Sequence, residues 1–90
     1  MNQIKIGRFI AECRKLKDLT QMQLAEKLNI TDKAISKWER GIAMPDSSIM
    51  LELCEILGIT VNELLNGEKF SMENNNQKKR RSFNRNGKRN

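Results

Sequence analysis

The 90-residue sequence contains no histidine and no tyrosine, and it has only two cysteines, one proline and one tryptophan. Without histidine there is no basis for a Ser-His or Cys-His nucleophile pair, or for a zinc site ligated by histidine. Two cysteines, Cys13 and Cys54, are too few for a disulfide scaffold. The carboxylates are scattered, and no glycine-rich phosphate loop is present. The sequence therefore predicts no enzyme, no metal site and no other cofactor.

Long hydrophobic runs are also missing from the chain. No apolar stretch approaches the ~20 residues that are needed to span a bilayer. The first residues, Met-Asn-Gln-Ile-Lys, lack the apolar core of a signal peptide. We therefore expect a cytoplasmic protein without a transmembrane segment in this chain. In such a protein Cys13 and Cys54 stay reduced and pack as small apolar side chains.

Charge is the composition's strongest bias, with 17 Lys and Arg against 11 Asp and Glu and a net charge of +6. A basic excess favours an anionic partner such as nucleic acid or a membrane surface. Residues 68–90 hold eight Lys and Arg, two Asp and Glu and few apolar residues, whereas residues 1–67 hold nine of each charge. We therefore predict a folded domain over 1–67 and a disordered, Asn/Lys/Arg-rich basic tail over 68–90.

Apolar residues in the folded part recur at helical spacing, and strand-like alternation is absent. The first apolar stripe consists of Ile6, Phe9, Ile10, Cys13 and Leu16. Helix boundaries are marked by capping boxes, by Asn or Gly at helix ends and by a loop with proline. We therefore predict an all-α, compact bundle of five short helices. The boundary signals are Thr20 with Gln23, Asn29, Thr31, Gly41, Pro45, Asp46 or Ser47, Gly58, Thr60 with Glu63, and Asn66 with Gly67.

The pair of predicted helices at 21–28 and 32–39 is the most informative segment. The turn between them has about three residues, which suits two helices that cross at a steep angle. Such a crossing needs a small residue where the axes approach, and Ala25 stands there. We expect Trp38 to belong to the core between these helices rather than to stack on bases. The remaining apolar residues of the facing surfaces are Leu24, Leu28, Ile30 and Ile35.

Five segments of the chain form a recognisable pattern. They are Leu-Thr-Gln at 19–21, Leu-Ala-Glu-Lys-Leu at 24–28, Ile-Ser-Lys-Trp-Glu-Arg-Gly at 35–41, Pro-Asp at 45–46 and Leu-Gly-Ile-Thr-Val-Asn-Glu-Leu-Leu at 57–65. With these segments the chain resembles, over about residues 4–66, the phage repressor and Cro family of helix-turn-helix proteins. The resemblance implies a lambda-repressor-like five-helix bundle. One departure is Asn29, where the family commonly has Gly, and both residues adopt the left-handed conformation.

The resemblance implies binding to double-stranded DNA, with the third helix in the major groove. Lys33 and Lys37 are then candidates to donate to guanine, and Asp32 is a candidate to accept from cytosine. Thr31 and Ser36 are placed to reach a phosphate or a base. Two of these residues also have structural explanations, because Thr31 is a helix cap and Asp32 favours the first turn of a helix.

The resemblance also implies phosphate contacts and a structural ion pair, at residues other than those expected to contact the bases. Gln21 opens the second helix, where free N–H groups and the helix dipole favour a phosphate. Arg40 follows the recognition helix and is a second candidate for phosphate contact. The family pattern also implies an ion pair between Arg14 and Glu39 that orients the recognition helix.

We therefore expect a sequence-specific DNA-binding transcriptional regulator of bacterial or phage type, in the simplest case a repressor. A single short recognition helix buries little surface, so we expect a homodimer on palindromic half-sites. Ile49 and Ile56 lie off the main apolar stripe of the fourth helix. They belong either to a self-association surface or to the edge of the core.

Three alternatives remain open from the sequence. The chain is otherwise an antitoxin that binds a toxin protein and regulates its own promoter, or the N-terminal DNA-binding part of a longer, membrane-tethered regulator. The third alternative is a non-specific binder of nucleic acid or anionic lipid that acts through the tail. The Lys-Lys-Arg-Arg run at 78–81 fits a DNA arm, a juxtamembrane segment or a solubilising extension.

Overall fold

The computed structural model describes residues 2–70. Within this range the chain forms five α-helices and no strand, which confirms the predicted all-α bundle. No helix in this range is long and apolar enough to cross a membrane. The predicted disordered tail lies outside the described residues from position 71 onward. The helices are α1 (Gln3–Leu16), α2 (Gln21–Leu28), α3 (Asp32–Glu39), α4 (Ser47–Leu57) and α5 (Val61–Asn66).

The predicted capping residues stand at the starts of α2, α3 and α5. Thr20 accepts a hydrogen bond from the backbone N–H of Gln23, and the Gln23 side chain accepts one from the N–H of Thr20. Thr60 and Glu63 form the same reciprocal capping box at α5. Thr31 accepts from the N–H of the residue three positions on and caps α3. These bonds satisfy N–H groups that have no partner inside the helix.

Asp46, rather than Ser47, caps α4. Its Oδ1 accepts from the N–H groups of Ser48 and Ile49 and from the Ser48 hydroxyl, at 3.0, 3.1 and 2.6 Å. The hydroxyl bond is the main reason that the pKa of Asp46 lies below its ordinary value. At the other end of α2, Asn29 adopts the predicted left-handed conformation with φ 58°.

The core lies between all five helices, and each of them contributes at least one buried apolar side chain. α1 packs against α3 and α5, and α2 packs against α3. Ala25 and Trp38 are both buried, as predicted for the crossing of α2 and α3. Cys13 and Cys54 are free, buried thiols. The most deeply buried large side chains are Ile6, Ile10, Leu24, Ile35, Leu53, Leu57 and Leu64.

The predicted apolar stripe of α1 was wrong at Leu16, which is 72% exposed. Leu16 is the last residue of α1, and the buried side of that helix ends two positions earlier, at Arg14. Ile49 and Ile56 are partly buried and pack against the core. A self-association surface at these two residues stays a prediction. Beyond the boundary predicted at Gly67, Lys5 Nζ still lies 3.1 Å from Glu68 Oε1.

Gly7 marks the closest approach of α1 to α3. A Cβ atom at this position would lie 2.7 Å from the carbonyl oxygen of Glu39 and closer still to that of Trp38. These are backbone atoms, which cannot rotate away as a flexible side chain does. Glycine therefore allows α1 to pack directly on the C-terminal end of α3.

Candidate nucleic-acid interface

One side of α3 is polar and faces solvent. Ile35 and Trp38 are buried on the opposite side, against the core. Residues three, four and seven positions apart share one side of a helix. The polar side is therefore continuous along the helix, and we call it the α3 face. It consists of the exposed residues Asp32, Lys33, Lys37 and Arg40 and the half-buried Ser36.

The positive side chains of the α3 face have no carboxylate partner among residues 2–70. The ion pairs in this range join Lys5 to Glu68 and Arg14 to Glu39. Lys33, Lys37 and Arg40 belong to neither pair. Their charges are therefore available to an anionic ligand, without the cost of breaking an ion pair inside the protein.

The ion pair implied between Arg14 and Glu39 is formed and joins α1 to the end of α3. Arg14 Nε lies 2.7 Å from Glu39 Oε2, and Nη2 lies 3.1 Å from Oε1. The two parallel bonds match the planar fork of guanidinium to a carboxylate. The two side chains are only 10% and 8% exposed. This hydrogen bonding raises the pKa of Arg14 further above its usual value, so the guanidinium stays charged.

Gln21 contacts the same carboxylate. Its Nε2 donates to Glu39 Oε1 at 2.9 Å, so Glu39 links the start of α2 to α1 and α3. The sequence did not indicate this contact, because the two residues lie on different helices and no local spacing connects them. Gln21 remains half-exposed at the start of α2. Its expected contact with a phosphate stays a prediction.

Arg40 folds back along α3 onto Ser36. Arg40 Nε donates to the backbone oxygen of Ser36 at 3.3 Å and to its Oγ at 3.2 Å. Thr31, at the opposite end of the helix, uses its hydroxyl oxygen for the N-cap. The structure thus places six of the seven predicted DNA-contact residues along α3. The seventh, Gln21, is hydrogen-bonded to Glu39 at the end of that helix.

Charge is divided unevenly between the two halves of the bundle. Residues 2–40 contain nine Lys and Arg and five Asp and Glu, whereas residues 41–68 contain five Asp and Glu and no Lys or Arg. Helices α1 to α3 are therefore net positive, and α4 and α5 are acidic. The zero net charge of residues 1–67 conceals this division. Most of the positive excess belongs to α1, because α2 and α3 each hold equal numbers of basic and acidic residues.

No second candidate site of comparable chemistry is present in residues 2–70. This range has no cluster of three or more side chains suited to hold a metal ion. Burial raises the pKa of both Cys13 and Cys54. Raised pKa values keep the thiols protonated near neutral pH, so neither is an activated nucleophile.

The sequence pattern and the fold define a helix-turn-helix domain, and comparison with known proteins places the chain in a family. The sequence model of the helix-turn-helix family matches residues 10–64, which is more than half of the chain. The chain belongs to the helix-turn-helix family. The resemblance stated from the sequence motifs is thereby confirmed.

Curated relatives include bacterial transcriptional regulators of this type. The chain is 36% identical over 67 residues to the HTH-type transcriptional activator BcrR of Enterococcus faecalis. The aligned region covers 74% of this chain and 33% of BcrR. It is 31% identical over 71 residues to the HTH-type transcriptional regulator ImmR of Bacillus subtilis. That alignment covers 79% of this chain and 56% of ImmR. The chain thus spans between a third and just over half of these two relatives.

Solved structures share the fold. The restriction-modification controller protein C.AhdI from Aeromonas hydrophila is 28% identical with a TM-score of 0.64, covering 70% of this chain and 91% of that chain. The clp gene regulator ClgR from Corynebacterium glutamicum is 25% identical with a TM-score of 0.66. The match covers 74% of this chain and 86% of the ClgR chain. These similarities confirm the five-helix fold.

Proposed function

We propose that this chain is a DNA-binding transcriptional regulator, without catalytic activity, that places α3 in the major groove of duplex DNA. The observation that carries the proposal is the α3 face. It presents Lys33, Lys37 and Arg40, none of them paired with a carboxylate in residues 2–70, on a helix that a buried ion pair fixes to α1. The family match and the regulators named among the relatives support the same function.

Base recognition belongs to the N-terminal and central part of α3, because these positions face the base edges when a recognition helix enters the groove. Lys33 and Lys37 donate to guanine O6 and N7, and Asp32 accepts from cytosine N4. A well-placed bidentate contact of this kind discriminates against the wrong base by ~1–3 kcal/mol.

Contacts to the DNA backbone come from the two helix starts and from the end of α3. Gln21 begins α2, and Thr31 caps α3, and at both places unpaired N–H groups and the helix dipole favour a phosphate. Arg40 supplies a positive charge at the far end of α3. These contacts fix the position of the domain on the duplex and carry no base preference of their own.

Two copies of the chain on neighbouring half-sites complete the binding unit that we propose. α3 has eight residues and is therefore about 12 Å long. One such helix contacts too few base pairs for tight specific binding, and a second copy one helical turn away doubles the contact. Occupation of a promoter in this way excludes polymerase, so repression is the simplest outcome.

Selection of bound sequences from random duplex DNA tests the proposal. The full chain is expected to enrich one motif, and Lys33→Ala and Lys37→Ala are each expected to relax the base preference at particular positions of that motif. Lys17→Ala is the matched control. Lys17 is equally exposed, but its Nζ lies beside Gly58 at the end of α4. If the wild-type chain enriches no motif, it does not act as a sequence-specific regulator.

A further inference from the structure

The contact between Ser36 and Arg40 gives these two residues unequal roles. Both lie on the α3 face, four positions apart, and both were expected to contact DNA directly. Ser36 is half-buried, while Arg40 is exposed and stands at the C-cap of α3. Ser36 supplies two acceptors, its Oγ and its backbone oxygen, and both point to the same donor, Arg40 Nε.

This arrangement leaves the outer edge of the guanidinium open. Among residues 2–70 the hydrogen bonds of the Arg40 side chain involve Nε alone, and the terminal nitrogens Nη1 and Nη2 donate to no acceptor in that range. A guanidinium held by Nε presents its two terminal nitrogens together, in the planar fork that matches a phosphate. Arg40 is therefore anchored on one edge and available on the other.

The position of Arg40 on α3 identifies its ligand. Arg40 is the C-cap of α3 and lies about two turns beyond Lys33 and one turn beyond Lys37, past the last of the residues that meet base edges. A side chain at that end approaches the sugar-phosphate backbone that borders the groove. The ligand that fits the free edge of the guanidinium is therefore a DNA phosphate.

We propose that Ser36 is a positioning residue, which holds the Arg40 guanidinium ready for one phosphate and makes no base contact itself. This role rests on the proposed DNA-binding function. Long side chains lose rotamer freedom when they bind, and a side chain already restrained in the free protein loses less. Ser36 thus strengthens the binding of every duplex equally and carries no sequence information. The base-reading residues of α3 are then Asp32, Lys33 and Lys37.

A double-mutant cycle on the full chain tests this role. The equilibrium dissociation constant is measured by fluorescence anisotropy for the selected duplex and for a duplex of unrelated sequence, over a series of salt concentrations. The variants are Ser36→Ala, Arg40→Ala and the combination of both. Ser36→Thr keeps the hydroxyl, and Arg40→Lys keeps the charge without Nε. Alanine is a better helix former than serine, so Ser36→Ala retains α3, and circular dichroism checks this.

Ser36→Ala is expected to weaken binding to both duplexes by about fivefold, with the salt dependence and the selected motif unchanged. Arg40→Ala is expected to weaken binding further and to lower the slope of log affinity against log salt by about one. In the Arg40→Ala and Arg40→Lys backgrounds, Ser36→Ala has no further effect, because the interaction it supports is already gone. Ser36→Thr binds like the wild type.

Three results would overturn the role. The first is a loss on Ser36→Ala that persists in the Arg40→Ala background, which would make Ser36 a DNA contact. The second is a changed base preference in the selected motif, and the third is unchanged affinity on Ser36→Ala. A wild-type chain that binds no duplex would instead contradict the proposed function, and the role of Ser36 with it.

Discussion

Three helices are connected through the single carboxylate of Glu39. It is the last residue of α3 and accepts hydrogen bonds from Arg14 on α1 and from Gln21 at the start of α2. Arg14 also donates from Nη1 to the backbone oxygen of Leu19 at 2.7 Å, in the turn between α1 and α2. Loss of the carboxylate would leave a buried guanidinium without its counter-charge.

Glu39→Ala is therefore expected to lower the free energy of unfolding by about 3 kcal/mol, the usual size for breaking a buried ion pair from one side. Urea unfolding at neutral pH measures this loss. Glu39→Gln is the matched control and is expected to lose less, since its amide oxygen still accepts from Arg14. Equal stability of Glu39→Ala and the wild type would show that the pair does not fix α3.

Contacts between residues that are close in sequence could be predicted from their spacing, whereas contacts between different helices could not. Thr20, Thr31 and Asn29 could be predicted because capping depends on neighbours within a few positions. The contact of Gln21 with Glu39 could not be predicted, because it depends on how α2 and α3 are placed in space. The pairing of Ser36 with Arg40 had a readable signal, since residues four apart on a helix are neighbours.

At the scale of helices, the packing of α1 on α3 determines how the α3 face is presented. Gly7 permits this contact, because the backbone oxygens of Trp38 and Glu39 occupy the space that a side chain would need. The apolar periodicity predicted α1 and most of its buried side, but it could not single out Gly7. A glycine inside a helix carries no periodic signal, and only the neighbouring helix shows why it is there.

Gly7→Ala is expected to destabilise the protein by about 1–2 kcal/mol. Overpacking of a helix contact costs ~1–3 kcal/mol, and the higher helix propensity of alanine offsets part of it. Thermal unfolding of this variant, with Glu12→Ala at an exposed position of α1 as the control, measures the change. A variant that is more stable than the wild type would contradict the close packing of α1 on α3.

The sequence predicts the ends of the helices only in part, because they depend both on neighbouring residues and on the packing of other helices. The sequence left Asp46 and Ser47 as equal candidates to begin α4, and the structure resolves this in favour of Asp46. Leu16 continued the apolar spacing of α1, yet it is exposed because α1 ends there. Spacing predicts which residues share a helix side, but the end of that side depends on which helix packs over it.

For the molecule as a whole, the distribution of charge matters more than its sum. The net charge of +6 comes from residues 68–90, and the folded part is neutral overall. Within the folded part, however, residues 2–40 have a net positive charge, whereas the charged residues of 41–68 are all acidic. This division was present in the sequence as the absence of Lys and Arg from residues 41–68, and its meaning became clear only with the fold.

The unequal charge predicts how the domain lies on DNA. We expect the α3 face to turn toward the duplex. The acidic helices α4 and α5 are expected to turn away from it, because their carboxylates and the DNA phosphates repel each other. A binder that acts through the basic tail alone would show no such orientation. Binding through α3 and binding through the tail alone therefore differ in whether the folded domain contacts the duplex.

The most direct measurement is a map of backbone amide chemical shifts in the full chain while the selected duplex is added. The largest changes are expected on residues 31–40 and on Gln21, with small changes at Glu52 and Glu55 on α4. Changes confined to residues 71–90, or largest on α4 and α5, would show that α3 does not read the DNA.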